Sequence, residues 1–455
     1  MKTTRRVPFS LPSLLVFFVF VLAGCGEGTL EPATDSGATA PDGGAGGATT
    51  NHAGGATGSG GSAGAGMGGV PGSAGIGGMV SDAGAGGMLS SGTGGMTGAG
   101  GRVVSTGGTA GSNAGMGGMS GSGGGSGGSS VAPAVRVVGR TVMGPGAGSF
   151  QYSWPGVNVQ AGFTGTQISM MVNSASGNNR VTIVVDGGVP RTVALASGQS
   201  TVALASGLPN GNHEIIIWRN TEASPGGLLT FNGLTGFGGG GLVAPPSAPA
   251  RRMEMIGDSL SVGAGVEGNA TCTGGIDAYT NNYLAYGSVA ARAVSADVVT
   301  IAYSGIGVYR NFNETTPTAA SLTMPRRYPY AIPDTALWDF SLYQPHVVVI
   351  NLGTNDFGAG DPGTPFETAY VSFVQSIRLK YPATYFILID MYGGMRLTRL
   401  NNILATLKTA GESKVEVLSL NSVQNNLGCN QHPNIAGQQG MGNTLAARLR
   451  VLMGW

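Results

Sequence analysis

Between Val135 and Phe237 apolar and polar residues alternate in short runs: VRVVG, VNVQAGF, QISMMVN, VTIVVDG, STVALAS and HEIIIWRN. A period of two is the mark of a strand with one face buried. Ser-Gly, Asn-Gly and Asp-Gly-Gly turns separate the runs, and no long helical pattern intervenes, so this part is predicted as a small antiparallel β-sandwich, jelly-roll-like in class. From Arg251 the pattern changes. RMEMIG, DVVTIAY, PHVVVINLG, TYFILID and KVEVLSL are nearly continuous apolar runs, as parallel strands covered on both faces require. Helical candidates lie between them near residues 277–294, 366–381 and 397–410, with a last one after Asn434. The order βαβαβ predicts an open, doubly wound parallel sheet, in which function collects beyond the carboxyl ends of the strands.

Ahead of these two parts the pattern vanishes. Residues 26–130 hold 41 of the 84 glycines and no Phe, Trp or Tyr. So little apolar bulk cannot offset the entropy of ordering, and the stretch is expected to be a disordered tether with a typical reach of ~50–60 Å. The first 25 residues carry Lys2, Arg5 and Arg6, then an apolar run from Leu11 to Leu22, then Ala23-Gly24-Cys25. That is an export signal. Its apolar run falls short of the ~20 residues a membrane span needs. The tetrad LAGC resembles the lipobox of bacterial lipoproteins, which implies cleavage before Cys25, lipidation of that cysteine and attachment at the cell surface or outer membrane; the alternative is an ordinary secretory peptide with an incidental cysteine. The expected divisions are thus 1–25 leader, 26–131 tether, 132–244 β-sandwich and 251–455 α/β unit.

Composition narrows the function. The 455 residues balance to a formal charge of +1 and include only four lysines. No basic cluster is available to neutralise a run of phosphates, so a nucleic-acid partner is not expected. Export permits disulfides, and setting Cys25 aside leaves one pair, Cys272 and Cys429, for which a bridge is expected. A lone Cys-x-x-His makes no zinc pattern, and neither metal nor cofactor is expected.

Candidate chemistry follows from the strand ends. Just past three of them lie Gly257-Asp258-Ser259-Leu260, Tyr303-Ser304-Gly305 and Gly353-Thr354-Asn355-Asp356. A serine hydroxyl, a flexible backbone donor and a side-chain amide therefore meet on one edge, the parts needed for nucleophilic attack and for holding an oxyanion. A base is still required, and there are four histidines. His52 lies in the tether, His213 in the sandwich, and His346 at the opposite end of its strand from Asn355. His432, in GCNQHPN before the last helix, remains; taken alone it also reads as a surface loop histidine.

These four blocks, GDSL, SGIG, GTND and His432-Pro433, resemble the SGNH or GDSL hydrolase superfamily over about residues 251–452. The resemblance implies Ser259 as nucleophile, His432 as its general base, and an oxyanion hole formed by the Ser259 and Gly305 N–H groups and the Asn355 amide. Asp258 and Asp356 are expected to hydrogen-bond the loops. A sandwich ending in HEIIIWRNTEA ahead of such a unit resembles carbohydrate esterase family 2 over about residues 135–452. That likeness implies an acetyl esterase acting on acetylated polysaccharide or oligosaccharide such as xylan or glucomannan. One departure stands out. Many superfamily members carry Asp three residues before the histidine, where this chain has Cys429, so a Ser-His dyad is expected, with the imidazole oriented by a backbone carbonyl or by Asn430. Two rival functions remain open: an esterase of the same superfamily acting on peptidoglycan O-acetyl groups, lipid or thioester, and an inactive carbohydrate-binding lipoprotein. In the sandwich, Phe150, Tyr152, Trp154 and Trp218 are expected to be core rather than a sugar platform.

Overall fold

The alternating runs fold as two antiparallel sheets laid face to face. The computed structural model describes residues 135–455 apart from Pro225, Thr271 and Gln424; the leader, Cys25, the tether predicted over 26–131 and His52 lie outside the described residues. In chain order the strands are β1 (Arg136–Val138), β2 (Val142–Met143), β3 (Phe150–Tyr152), β4 (Asn158–Gly165), β5 (Ile168–Ser174) and β6 (Arg180–Val185). They continue with β7 (Arg191–Ala194), β8 (Gly198–Ala205), β9 (Gly211–Arg219), β10 (Leu229–Thr235) and β11 (Leu242–Val243). One sheet runs β1-β4-β9-β6-β7 with β11 also on β4, and the other runs β2-β3-β10-β5-β8. Alternate residues meet between them: Val159, Ala161, Phe163, Ile215 and Ile217 from the first, Ile168, Met170, Val172 and Phe231 from the second, all essentially without solvent contact. Each of these side chains except that of Ala161 contributes roughly 1.5–3 kcal/mol of burial.

The central strand β10 is absent from the sequence expectation. Its Asn232-Gly233 pair has the form of a hairpin turn, but here it marks a β-bulge: the register on β5 shifts between Phe231 and Gly233.

The second part contains β12 (Arg251–Gly257), α1 (Ser259–Val262), α2 (Tyr286–Ala293), β13 (Ala296–Ala302), α3 (Met324–Arg327), β14 (Tyr330–Ile332) and β15 (Ala336–Leu337). It ends with β16 (Val347–Asn351), α4 (Thr364–Lys380), β17 (Tyr385–Asp390), α5 (Gly394–Thr409), β18 (Val415–Ser419) and α6 (Ile435–Met453). The five long strands form a parallel sheet in the order β13-β12-β16-β17-β18. This is a doubly wound arrangement. Val347 and Val349 of β16 pack with residues of α2 and α6, while Val348 and Ile350 join the core on the side of α4 and α5. Both faces being covered explains the unbroken apolar run.

The helix expected over residues 277–294 occupies only its second half. Two 3-10 turns, Ile276–Tyr279 and Asn282–Leu284, precede α2, and the Asn281 side chain caps the second by accepting the Tyr283 N–H. Asparagines compete for backbone partners in this way and interrupt helices.

The sandwich and the α/β part share one continuous apolar core. Arg140, wholly buried, pairs with the buried Glu254 of β12 at 3.3 Å and donates to the carbonyls of Tyr328 and Tyr330. Trp154 donates to the Tyr330 carbonyl at 3.1 Å, and Trp218 to Asn282 Oδ1 at 3.2 Å. The backbone at Gly156 (φ +79°) comes so close to Asn282 that a Cβ there would lie 2.6 Å from Oδ1, which only glycine permits.

Candidate active site

Parallel register sets the level of the site. Gly257 pairs with Ala302 on one side and with Asn351 on the other, so the chain leaves three neighbouring strands at one height. Ser259 follows two residues after Gly257, Gly305 three after Ala302, and Asn355 four after Asn351. Asp258 caps α1, its carboxylate accepting the Leu260 N–H at 3.0 Å, which makes Ser259 the first helical residue. N–H groups in a first turn have no intrahelical partner.

Beneath α1 the packing is polar and specific. Asn282 donates to the carbonyls of Ser261 and Val262, each at 3.1 Å, closing the helix from its far end. Tyr286 OH lies 3.2 Å from Ser261 Oγ and accepts from Asn351 Nδ2 at 2.9 Å. Asn282 had no signal in the sequence, since asparagine in a loop is ordinary.

His432 approaches from the loop between β18 and α6. Its Nε2 lies 2.8 Å from Ser259 Oγ, and its Nδ1 lies 3.0 Å from the backbone carbonyl of Asn430. That carbonyl can only accept, so Nδ1 carries the proton and Nε2 presents a lone pair to the hydroxyl. Asn430 (φ +49°) and Gln431 (φ +60°) are both left-handed, and this tight turn brings the carbonyl back toward its own histidine. Burial holds the His432 imidazole below its ordinary 6.5. The position where an acid was missed, Cys429, is wholly buried and joined to Cys272, the Cα atoms 4.9 Å apart. Cys429 packs on the loop that follows the serine: a Cβ on Gly265 (φ +68°) would sit 2.6 Å from the Cys429 Cβ.

Gly305 has φ +77°, and its carbonyl accepts the Phe312 N–H at 2.9 Å. Asn355 is buried and donates through Nδ2 to the Ile306 carbonyl at 2.8 Å, leaving the second N–H of the amide to point elsewhere. Asp356 gathers the loop after Gly305, accepting the N–H groups of Val308 (3.0 Å), Tyr309 (2.7 Å) and Arg310 (3.0 Å). Burial still raises its carboxyl above the usual range despite these bonds, and pushes that of Asp258 up to about 7.

The other described histidines are engaged elsewhere. His213 lies between Asp186 (2.7 Å) and the Pro209 carbonyl (2.8 Å), and His346 accepts the Arg252 N–H at the amino end of β16. Among the described residues no group of three or more His, Cys, Asp or Glu side chains is arranged to hold a metal. Tyr152, Trp154 and Trp218 are buried, and Phe150 stacks on Phe231 at 4.8 Å between ring centroids.

Comparison with known proteins gives a consistent picture. Residues 137–246 match the family described as Carbohydrate esterase 2 N-terminal, and residues 255–439 the GDSL-like Lipase/Acylhydrolase family. The cellulase/esterase CelE of Acetivibrio thermocellus is 35% identical over 313 residues, 67% of this chain; the matched part spans 38% of that longer protein. An acetylxylan esterase / glucomannan deacetylase of Cellvibrio japonicus is 27% identical over 333 residues, covering 71% of this chain and 90% of that protein. Among solved structures, a family two carbohydrate esterase from Clostridium thermocellum in complex with cellohexaose superposes with a TM-score of 0.65 at 33% identity, covering 70% of this chain and 99% of that one. A family two carbohydrate esterase from Cellvibrio japonicus superposes with a TM-score of 0.63 at 26% identity.

Proposed function

The chain belongs to carbohydrate esterase family 2, and from that membership we propose that it is a serine esterase removing O-acetyl groups from plant cell-wall polysaccharide, xylan or glucomannan. The observation that carries the reading is the 2.8 Å contact between His432 Nε2 and Ser259 Oγ at the carboxyl edge of the sheet. His432 takes the hydroxyl proton as Ser259 Oγ attacks the acetyl carbonyl carbon. The carbonyl oxygen becomes an oxyanion held by the N–H groups of Ser259 and Gly305 and by the free N–H of Asn355. Collapse breaks the bond to the sugar oxygen, which leaves as an alcohol with the proton from His432. Water then attacks the acetyl-serine, giving its proton to Nε2, and acetate departs as Ser259 recovers its hydrogen. Throughout, Nδ1–H stays on the Asn430 carbonyl, fixing the ring as a buried carboxylate does in a triad.

Within the same proposal, Cys25 carries a lipid anchor and residues 26–131 a spacer that lets the folded part reach insoluble glycan from a membrane. Export and anchoring rest on the leader and the LAGC tetrad alone.

One experiment addresses both. Acetate release from acetylated xylan and glucomannan is measured in membrane and soluble fractions of cells making the full chain, its Ser259→Ala form and its Cys25→Ala form. Release confined to membranes, absent with Ser259→Ala and moved to the soluble fraction with Cys25→Ala, is expected. Turnover of a long-chain or thioester substrate without any acetate from glycan would discard the substrate assignment, and membrane-bound activity in Cys25→Ala would discard the anchor.

A further inference from the structure

Glu222 belongs to the β-sandwich, three residues beyond β9, yet its carboxylate lies against the loop that carries Gly305. Oε1 accepts the Ser304 N–H at 3.0 Å and Oε2 accepts the Ser304 hydroxyl. Only 8% of the residue is exposed. Burial pushes its carboxyl up to about 7, with the two Ser304 bonds opposing the rise. A carboxylate taken out of water needs compensation, and here Ser304 supplies two hydrogen bonds, one from its N–H and one from its hydroxyl.

Its seat is rigid. Arg219, fully buried, donates to the Glu222 carbonyl at 2.8 Å, to the Thr221 carbonyl at 3.3 Å and to Asn179 Oδ1 at 3.3 Å. The Asn220 carbonyl accepts the Asn282 N–H at 3.0 Å, and Asn282 is the residue that closes α1. The same sandwich segment thus reaches both the nucleophile helix and the Gly305 loop. On its other flank that loop is held by Asp356, and the Ile306 carbonyl by Asn355. Ser304 is the residue whose φ and ψ aim the next N–H, that of Gly305.

We propose that Glu222 is a positioning residue for the oxyanion hole: the sandwich, through Glu222, fixes Ser304 so that the Gly305 N–H faces the oxygen that becomes charged when Ser259 attacks. The inference rests on the esterase reading of Ser259, and it makes the sandwich part of the catalytic apparatus rather than an appended binding module.

The test compares the full chain with Glu222→Ala, Glu222→Gln and Ser304→Ala on a soluble aryl acetate, with rates normalised to Ser259 sites titrated by a fluorophosphonate. Glu222→Ala is expected to lower normalised kcat about 10- to 100-fold with KM within about threefold, because misaligning a donor weakens only the transition state. Glu222→Gln is expected to recover most of that loss, its amide oxygen taking the Ser304 N–H and its NH2 the Ser304 oxygen. Ser304→Ala, which keeps the N–H bond, should lose less than Glu222→Ala, and it carries the test if that variant fails to fold. A normalised kcat in Glu222→Ala equal to that of the unaltered chain, or a Glu222→Gln no better than Glu222→Ala, would overturn the proposal. Should the unaltered chain take the phosphonate yet cleave no acetyl ester, the substrate assignment fails separately. Positioning is then read from phosphonylation rates, which need the same donors and should slow by a similar factor in Glu222→Ala; equal rates would overturn it.

Discussion

His432 lies beside a carbonyl where a Ser-His-Asp triad places a carboxylate, and this alters its titration. A carboxylate partner would raise the imidazole pKa by favouring the charged form, whereas the Asn430 carbonyl offers only a dipole, too weak to offset burial. The ring is therefore held below 6.5 and neutral at pH 7, the state that the proposed general base needs. In an imidazole NMR titration, the resonance lost in His432→Gln should show an apparent pKa below 6.5. His213, between Asp186 and the Pro209 carbonyl, should titrate above 6.5 in the same spectra, because its hydrogen bond to Asp186 favours the imidazolium. A His432 value above 6.5 would require an acid partner that the geometry lacks. Ser259 stands out in the sequence as a serine just past the end of β12, and His432 as the histidine left once the other three are placed elsewhere. For the partner that orients the ring the sequence left a backbone carbonyl or Asn430 open; the structure supplies the carbonyl of Asn430 itself, brought round by two left-handed residues that residue identity does not announce.

Loops, rather than strands, hold the site together at the next scale. The bridge from Cys272 to Cys429 spans 157 positions and links the segment after Ser259 to the turn before His432. Closing a loop of that length is worth up to about 5 kcal/mol in the chain-entropy model. Its position suggests a second effect, since Cys429 opens the turn that aims His432. A Cys272→Ser/Cys429→Ser double variant should lose about 2–5 kcal/mol of unfolding free energy and, while still folded, about tenfold in kcat with little change in KM. Unchanged kcat in the folded variant would mean that the bridge serves stability alone. Element by element, the long strands were legible because burial on one face writes a period of two and burial on both writes an unbroken apolar run. Where the period breaks, the structure differs: β10 hides behind Asn232-Gly233, and the Asn281-Asn282 pair turns the first half of an expected helix into 3-10 turns. The Asp258 and Asp356 loops read correctly because a carboxylate beside successive N–H groups has an obvious local use.

Across the whole molecule, sequence alone divided the chain at the Pro-rich connector after Gly241, and the packing argues against two independent bodies. Trp154 and Trp218, expected as sandwich core, direct their N–H groups across the boundary to Tyr330 and Asn282. Arg140 goes furthest. It is fully buried, 3.3 Å from Glu254, under the Tyr328 ring at 4.6 Å and the Phe340 ring at 5.1 Å, while Glu254 also accepts the Tyr381 hydroxyl at 2.9 Å. No pattern in either half announces this pair, because its partners lie 114 positions apart and each alone reads as a surface charge. Removing one member leaves the other charged and dry, which costs far more than the pair contributes. Arg140→Met should therefore destabilise the full chain by about 3–5 kcal/mol in denaturant unfolding, whereas Arg140→Met/Glu254→Gln should regain a large part of that loss. If sandwich and α/β unit were separable, Arg140→Met would instead leave the α/β transition unmoved and lower only a distinct sandwich transition. A single transition that shifts as a whole is the expected result, since the strand that begins at Arg251 carries Glu254 in its middle and Ser259 just past its end.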